Sequence, residues 1–196
     1  MGKAKKICAA RPFHMREDYD HRKERVRAEP LVLVVAPTRE LCIQIFDEAR
    51  RLCYRSMLRP CVVYGGGPSN EQRIDLEKGC DILIATPGRL LDFMRDPNLI
   101  SLSRIRFTII DEADEMLHDD WTEALDMIFN GANANMDAQH QYLLFSATFD
   151  KAMRRVAKQY LAQDYVRIRI GRIGSTVKDI SQNACPHLYH TYWKAR

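Results

Sequence analysis

At 196 residues, 46% of them hydrophobic and 29% charged, the chain has enough apolar material for one cored domain with tails. It contains no run of about 18 apolar residues, which excludes a membrane-spanning helix, and Met1-Gly2-Lys3-Ala4-Lys5-Lys6 opens no apolar stretch that a secretory signal would need. The net charge of +4 sits in residues 1–30, where nine Lys/Arg face five Asp/Glu; residues 31–196 hold 21 of each.

That first segment lacks periodicity and is expected to be loosely ordered, either a basic arm for nucleic acid or a solvated linker. From Leu31 the pattern changes. Leu31–Ala36 is a continuous apolar run, the mark of a strand buried on both faces. Pro37-Thr38 follows, and Leu41, Ile45, Ala49 and Leu52 then recur at helical spacing. Cys61–Tyr64 is a second strand, stopped by Gly65-Gly66-Gly67-Pro68. Ser69-Asn70-Glu71-Gln72 has the spacing of a capping box, opening a helix that Gly79 ends. Ile82–Ala85 is a third strand, and Thr86-Pro87 reads as an N-cap followed by proline at the first helical position, starting a helix through Met94.

Ile105–Ile110 is the fourth strand, followed by a helix over Glu123–Phe129 and a polar loop over Gly131–Gln139. Tyr142–Phe145 is the fifth strand, and Asp150 caps a helix running to about Leu161. Tyr165–Ile170 alternates like a sixth strand. Strands alternating with helices imply an α/β fold, a parallel sheet covered on both faces. In such sheets ligands bind beyond the carboxyl ends of the strands. Every unusual cluster of this chain is expected there: Pro37-Thr38-Arg39, Gly65-Gly66, Thr86-Pro87-Gly88-Arg89, Asp111–Asp114 and Ser146-Ala147-Thr148.

The sharpest of these is Phe107-Thr108-Ile109-Ile110-Asp111-Glu112-Ala113-Asp114, an apolar strand that delivers adjacent carboxylates to the sheet edge. Asp111 can hold Mg²⁺ through water, since the ion keeps much of its hydration shell, and Glu112 can polarise an attacking water. A helix N-terminus decorated with acids would explain the charge but not the buried strand before it. The hydroxyls of Ser146 and Thr148 can hydrogen-bond a carboxylate, although Ser-Ala-Thr alone is an ordinary turn. Thr38-Arg39 and Thr86-Pro87-Gly88-Arg89 each join a hydroxyl, an arginine and a helix N-terminus, the ingredients of a phosphate contact as well as of plain capping. Together they suggest a track for a phosphodiester backbone, which positions a strand without reading its sequence.

No G-x-x-x-x-G-K-[ST] phosphate loop occurs. Gly65–Asn70 has no lysine, and Gly171-Arg172-Ile173-Gly174-Ser175-Thr176 has the wrong spacing. The six cysteines, at 8, 42, 53, 61, 80 and 185, form no C-x-x-C pair and read as reduced core residues of an intracellular protein, with a zinc site as the alternative; the cytoplasm is expected ahead of the nucleus. His118 and His140 read as surface residues and Trp121 as core.

In order and spacing these motifs resemble the first RecA-like domain of the DEAD-box RNA helicases, a three-layer P-loop NTPase fold. Pro37–Gln44 is similar to motif Ia, Gly65-Gly66 to the GG motif, Thr86–Leu90 to motif Ib, Asp111–Asp114 to motif II and Ser146–Thr148 to motif III. The resemblance runs from about 30 to 183, and Gly171–Thr176 with Ile180-Ser181-Gln182 is similar to the branch that unwinds mRNA during translation initiation. It implies ATP and Mg²⁺ as cofactors and RNA as partner, with no membrane. Asp111 would organise Mg²⁺, Glu112 would activate water, and Asp114, Ser146 and Thr148 would couple hydrolysis to strand separation. Pro37, Thr38, Arg39, Gly65, Gly66, Thr86, Pro87, Gly88 and Arg89 would hold the RNA backbone.

The family's adenine-recognising Q motif, its Walker A loop and strand, and its second RecA-like domain with the arginine finger have no counterpart in the sequence. The expected organisation is therefore a basic segment over 1–30, a partial helicase ATP-binding domain over 31–170, and a tail over 171–196. An oxyanion-type donor is worth roughly 2.7–4 kcal/mol of barrier, and an arginine finger about 10³–10⁵ in rate. The expectation is a helicase-derived chain of marginal stability without useful ATPase or unwinding activity alone. The alternatives are a non-catalytic RNA-binding module using the same rim and an incomplete product with no activity.

Overall fold

Five parallel strands make the middle layer of the computed structural model, which describes residues 26–118, 124, 126–128, 140–149, 151–161 and 164–170. They are β1 (Val32–Val35), β2 (Pro60–Val63), β3 (Ile82–Ala85), β4 (Phe107–Ile110) and β5 (Gln141–Leu144). Their spatial order is β2-β3-β1-β4-β5. From β1 the chain runs to the edge strand β2, returns inward to β3, and then passes β1 to reach β4 and β5 on the other side, so the ends of β1 and β4 border the point where the winding reverses. That is where an open parallel sheet offers a crevice.

Alternation along the strands feeds two cores. Leu33, Val35, Cys61, Val63, Leu83, Ala85 and Ile110 face one side. There they meet Leu76 of α2 (Ser69–Leu76), Leu90 and Phe93 of α3 (Pro87–Met94), Met116 of α4 (Ala113–His118) and Met153 of α5 (Lys151–Tyr160). Val34, Ala36 and Ile84 face the other side, under Leu41, Cys42, Ile45, Phe46 and Ala49 of α1 (Arg39–Leu52). Helices on both faces of a parallel sheet are the expected three-layer architecture. α4 is an element that the periodicity did not predict, because its six residues are too few to show a helical repeat. Ala124 and Asp126–Ile128 are helical, within the predicted helix there.

Several expectations change. The segment before the sheet is not loose up to residue 30: Ala28 is fully buried, its N–H donating to the Leu99 carbonyl and its carbonyl accepting from Ser101. A small side chain allows this close approach, and Val26 makes a similar single bridge to Lys78. Residues 1–25 lie outside the described residues. The Ser69 capping box does not form. α2 has Pro68 at its N-cap with no side-chain cap hydrogen bond, because Gln72 is used elsewhere. Gly79, at φ +93°, does follow the helix end.

The sixth strand is absent. Residues 165–170 adopt no regular structure, and Val166, Ile168 and Ile170 are 84%, 82% and 94% exposed. A strand requires a ladder partner, and the described residues supply none for this segment. Val166–Ile170 fall outside the compact unit that ends at Tyr165. The predicted cap Asp150, Trp121 and the Gly131–Gln139 loop lie outside the described residues.

Candidate functional site

The strand register brings the five sequence clusters to one level. Val35 is opposite both Ala85 and Ile110, Val63 is opposite Ala85, and Ile110 is opposite Leu144. The next residue of each strand, where it is bonded, donates to its neighbour's last carbonyl. Ala36 bonds Ala85 at 3.1 Å, Thr86 bonds Val63 at 3.0 Å, Asp111 bonds Val35 at 3.0 Å, and Phe145 bonds Ile110 at 2.8 Å. Pro37–Arg39, Gly65-Gly66, Thr86–Arg89, Asp111–Asp114 and Ser146–Thr148 therefore form one continuous rim.

On the β2–β3 side the rim is cross-linked. Thr38 is the N-cap of α1, its hydroxyl accepting from the Leu41 N–H at 3.2 Å. Thr86 occupies the N-cap position of α3 but does not cap it; its hydroxyl accepts from the Gly65 N–H at 3.2 Å and ties motif-Ib-like and GG-like segments together. Thr86 and Pro87 are buried, Gly88 and Arg89 partly so, whereas Thr38, Arg39, Gly65 and Gly66 are exposed. The Arg39 guanidinium lies over the Tyr64 ring, 4.9 Å from its centroid. Arg89 donates to the Gly67 carbonyl at 3.2 Å. Gly66 has φ +74°, a conformation that a side chain resists. Gly67 is required for space: a Cβ there would lie 2.7 Å from Tyr64 Cε2. Two guanidinium groups thus flank an exposed glycine turn beside two helix N-termini, a geometry that can accept phosphate oxygens.

On the β4–β5 side lie the carboxylates. Asp111 Oδ1 accepts from the Glu112 N–H at 3.0 Å. Glu112 is exposed and held at φ +47°, a left-handed conformation rare for residues other than glycine. Strain of this kind costs about 1–3 kcal/mol and gathers at functional sites, and no residue pattern around Glu112 signals it. Ala113 bonds back to the Phe145 carbonyl at 3.0 Å, and Asp114 is buried beneath the turn. Asp114 Oδ2 accepts from Thr148 twice, from Oγ1 at 2.8 Å and from the N–H at 3.1 Å. Burial pushes its carboxyl up, but hydrogen bonds from Thr148 and Ser146 outweigh burial and hold it below the usual aspartate range. Ser146 donates to the Thr148 carbonyl and accepts from the Thr148 N–H, so the Ser-Ala-Thr turn is closed on itself and locked to Asp114.

Cys42, Cys53, Cys61 and Cys80 are free and buried, and burial pushes the Cys42 thiol up to about 12. His140 is not a surface residue. It is half-buried, bonded through Nε2 to the Thr108 hydroxyl at 2.8 Å and stacked on Tyr142 at 4.2 Å. Burial lowers its pKa. The side chain of His118 lies outside the described residues.

Among the described residues no three His, Cys, Asp or Glu side chains form a metal cage. A single carboxylate with one oxygen already engaged suits Mg²⁺, which retains water and is completed by phosphate. The triphosphate is a different matter. No lysine-bearing glycine loop exists in the sequence to cradle it, so the donor set fits the ion and not the nucleotide.

The family model for DEAD/DEAH box helicases matches residues 8–156, well over half of the chain. The chain belongs to this helicase family. A solved structure similar to this helicase chain is the yeast DEAD-box splicing factor Prp28, at 30% identity and a TM-score of 0.63. The match covers 69% of the helicase chain described here and 32% of Prp28, so this chain spans about a third of that protein's length. The family match confirms the RecA-like α/β reading and begins within the basic segment, earlier than the motifs alone suggested. No described helix of this helicase domain is long and apolar enough to cross a membrane.

Proposed function

We propose that the chain is the magnesium- and RNA-contacting portion of an ATP-dependent RNA helicase, and that by itself it binds single-stranded RNA without useful ATP hydrolysis. The observation that carries this reading is the shared level of the five clusters, fixed by strand register. Thr38, Arg39, Gly65, Gly66 and Arg89 would contact the phosphodiester backbone. Thr86 and Pro87, being buried, would shape that surface, and Pro37 and Gly88 would set where the two helix N-termini begin. Asp111 would hold water-coordinated Mg²⁺, whose charge would polarise a phosphoryl group once a nucleotide is supplied with a phosphate cradle. Glu112, exposed beside it, would orient the attacking water. Asp114, Ser146 and Thr148 would link that site to the turn after β5.

Contacts of this kind give affinity that falls with salt, by a slope of about 0.7 per phosphate for single strands. The test is anisotropy of a fluorescein-labelled oligouridine over a salt series, beside RNA-stimulated phosphate release by the wild-type chain and Glu112→Gln. Salt-dependent binding with no release above Glu112→Gln is expected. Release that depends on Glu112 would refute the claim of inactivity, and absent binding would refute the RNA contact.

A further inference from the structure

We propose that Gln72 is a positioning residue that sets the Arg89 guanidinium, and with it the spacing of the two rim arginines, for phosphate contact. The proposal rests on the RNA-binding reading and extends it to a residue that the motifs did not single out. β2 is an edge strand, and Val63 spends its carbonyl on β3 by accepting from Thr86. The next residue, Tyr64, therefore turns its backbone groups outward, where no strand among the described residues meets them. Gln72 of α2 takes the place of that strand. Its Oε1 accepts from the Tyr64 N–H at 3.1 Å, and its Nε2 donates to the Tyr64 carbonyl at 3.2 Å. The side chain is only 9% exposed, so both ends of the amide are fixed.

The same Oε1 accepts from Arg89 Nη1 at 3.5 Å, while Arg89 Nη2 reaches the Gly67 carbonyl. Gly67 is pressed against the arrangement, since a Cβ there would come within 3.0 Å of Gln72 Nε2. Below, the guanidinium stacks on Phe93 at 5.5 Å. Arg89 thus spends two donors inward and keeps the rest of its planar fork for an anion. Tyr64 is the common element: its backbone carries Gln72 and hence Arg89, and its ring carries Arg39. A glutamine amide holding one residue's backbone thereby fixes two cations relative to each other.

The experiment uses the full chain and Gln72→Leu, Arg89→Ala and the double variant, with the same labelled oligouridine. Gln72→Leu should weaken RNA binding about five- to tenfold, as for loss of one charge-assisted contact, and lower the salt slope by about 0.7. The double variant should bind no more weakly than Arg89→Ala alone, because both substitutions remove one unit. Arginine side-chain NMR supplies a readout free of RNA: the Arg89 Nε–H signal should be rigid in the wild type and mobile in Gln72→Leu. Gln72→Met, of similar volume, replaces Gln72→Leu where the latter fails to fold.

A rigid Arg89 signal in a folded Gln72 variant would overturn the proposal, as would losses that multiply in the double variant. Binding lost in Arg89→Ala but intact in Gln72→Leu would overturn the clamp alone and leave the RNA reading standing. No salt-dependent binding by the wild type would overturn both.

Discussion

The two halves of the rim are built differently. On the β2–β3 side, side chains hold backbone across elements: Thr86 to Gly65, Gln72 to Tyr64, Arg89 to Gly67. The sheet beneath is covered on both faces. On the β4–β5 side, most fixed contacts run within or between two adjacent turns, and the sheet beneath is less protected. Phe107 is 42% exposed and Phe145 53% exposed, and every residue of β5 is at least partly exposed. Both halves reach an edge strand, β2 on one side and β5 on the other, so the difference lies in the ties: the glycine-turn half is held by side chains from separate elements, while the carboxylate half rests on a more exposed part of the sheet.

The largest effect that separates the halves is packing. Leu83 is fully buried at the centre of β3, between Leu33 and Cys61 in the ladder. Leu83→Ala should cost about 2–5 kcal/mol, whereas Leu143→Ala on half-exposed β5 should cost about 1 kcal/mol or less. Urea denaturation of the two variants measures both, and equal losses would erase the distinction.

Next comes the lock on Asp114. Asp114→Ala removes a charged acceptor with two hydrogen bonds from Thr148 and should cost about 2–3 kcal/mol. Because the folded-state pKa of this carboxyl is lowered, its stabilisation is complete above the ordinary aspartate range and is lost as pH falls through the lowered value. Acid titration followed by circular dichroism should therefore destabilise the wild type more than Asp114→Ala, and parallel curves would contradict the lock.

The glycine turn gives a smaller contrast. Gly66→Ala, at φ +74°, should lose about 1–2 kcal/mol. Gly65→Ala, where a Cβ meets nothing within 4 Å, should stay within about 0.5 kcal/mol in thermal melts. The smallest effect carries the opposite sign. Glu112→Gly relieves the φ of +47° and should gain about 0.5–1 kcal/mol, after the entropy of a new glycine is charged against it. A loss of stability there would mean that the strain is compensated by contacts of the Glu112 side chain.

Apolar runs and their spacing made the parallel sheet legible, and the positions immediately after each run gave the rim. Those features depend on residues close in sequence. The misreadings arise where a side chain serves a distant partner. Ser69–Gln72 has the spacing of a capping box, but the Tyr64 backbone competes for Gln72 and wins. Thr86 stands where an N-cap belongs, yet an unpaired N–H on the neighbouring turn takes its hydroxyl. Tyr165–Ile170 alternates like a strand, but alternation specifies faces and cannot provide a neighbour. The strain at Glu112 is invisible in sequence because nothing in Asp-Glu-Ala-Asp encodes a positive φ.

The backbone bonds that level the rim also give it a mechanical character. Phe145 hangs from Ile110, Asp111 from Val35, Ala36 from Ala85 and Thr86 from Val63. These links mesh like gear teeth across the full width of the sheet. Sliding one loop past the next must break a tooth, at about 1 kcal/mol net for each hydrogen bond, whereas tilting all five together breaks none. Sliding is therefore costlier than a common tilt, and the turn after β5 is joined to the glycine turn at the far edge by an unbroken series of backbone hydrogen bonds.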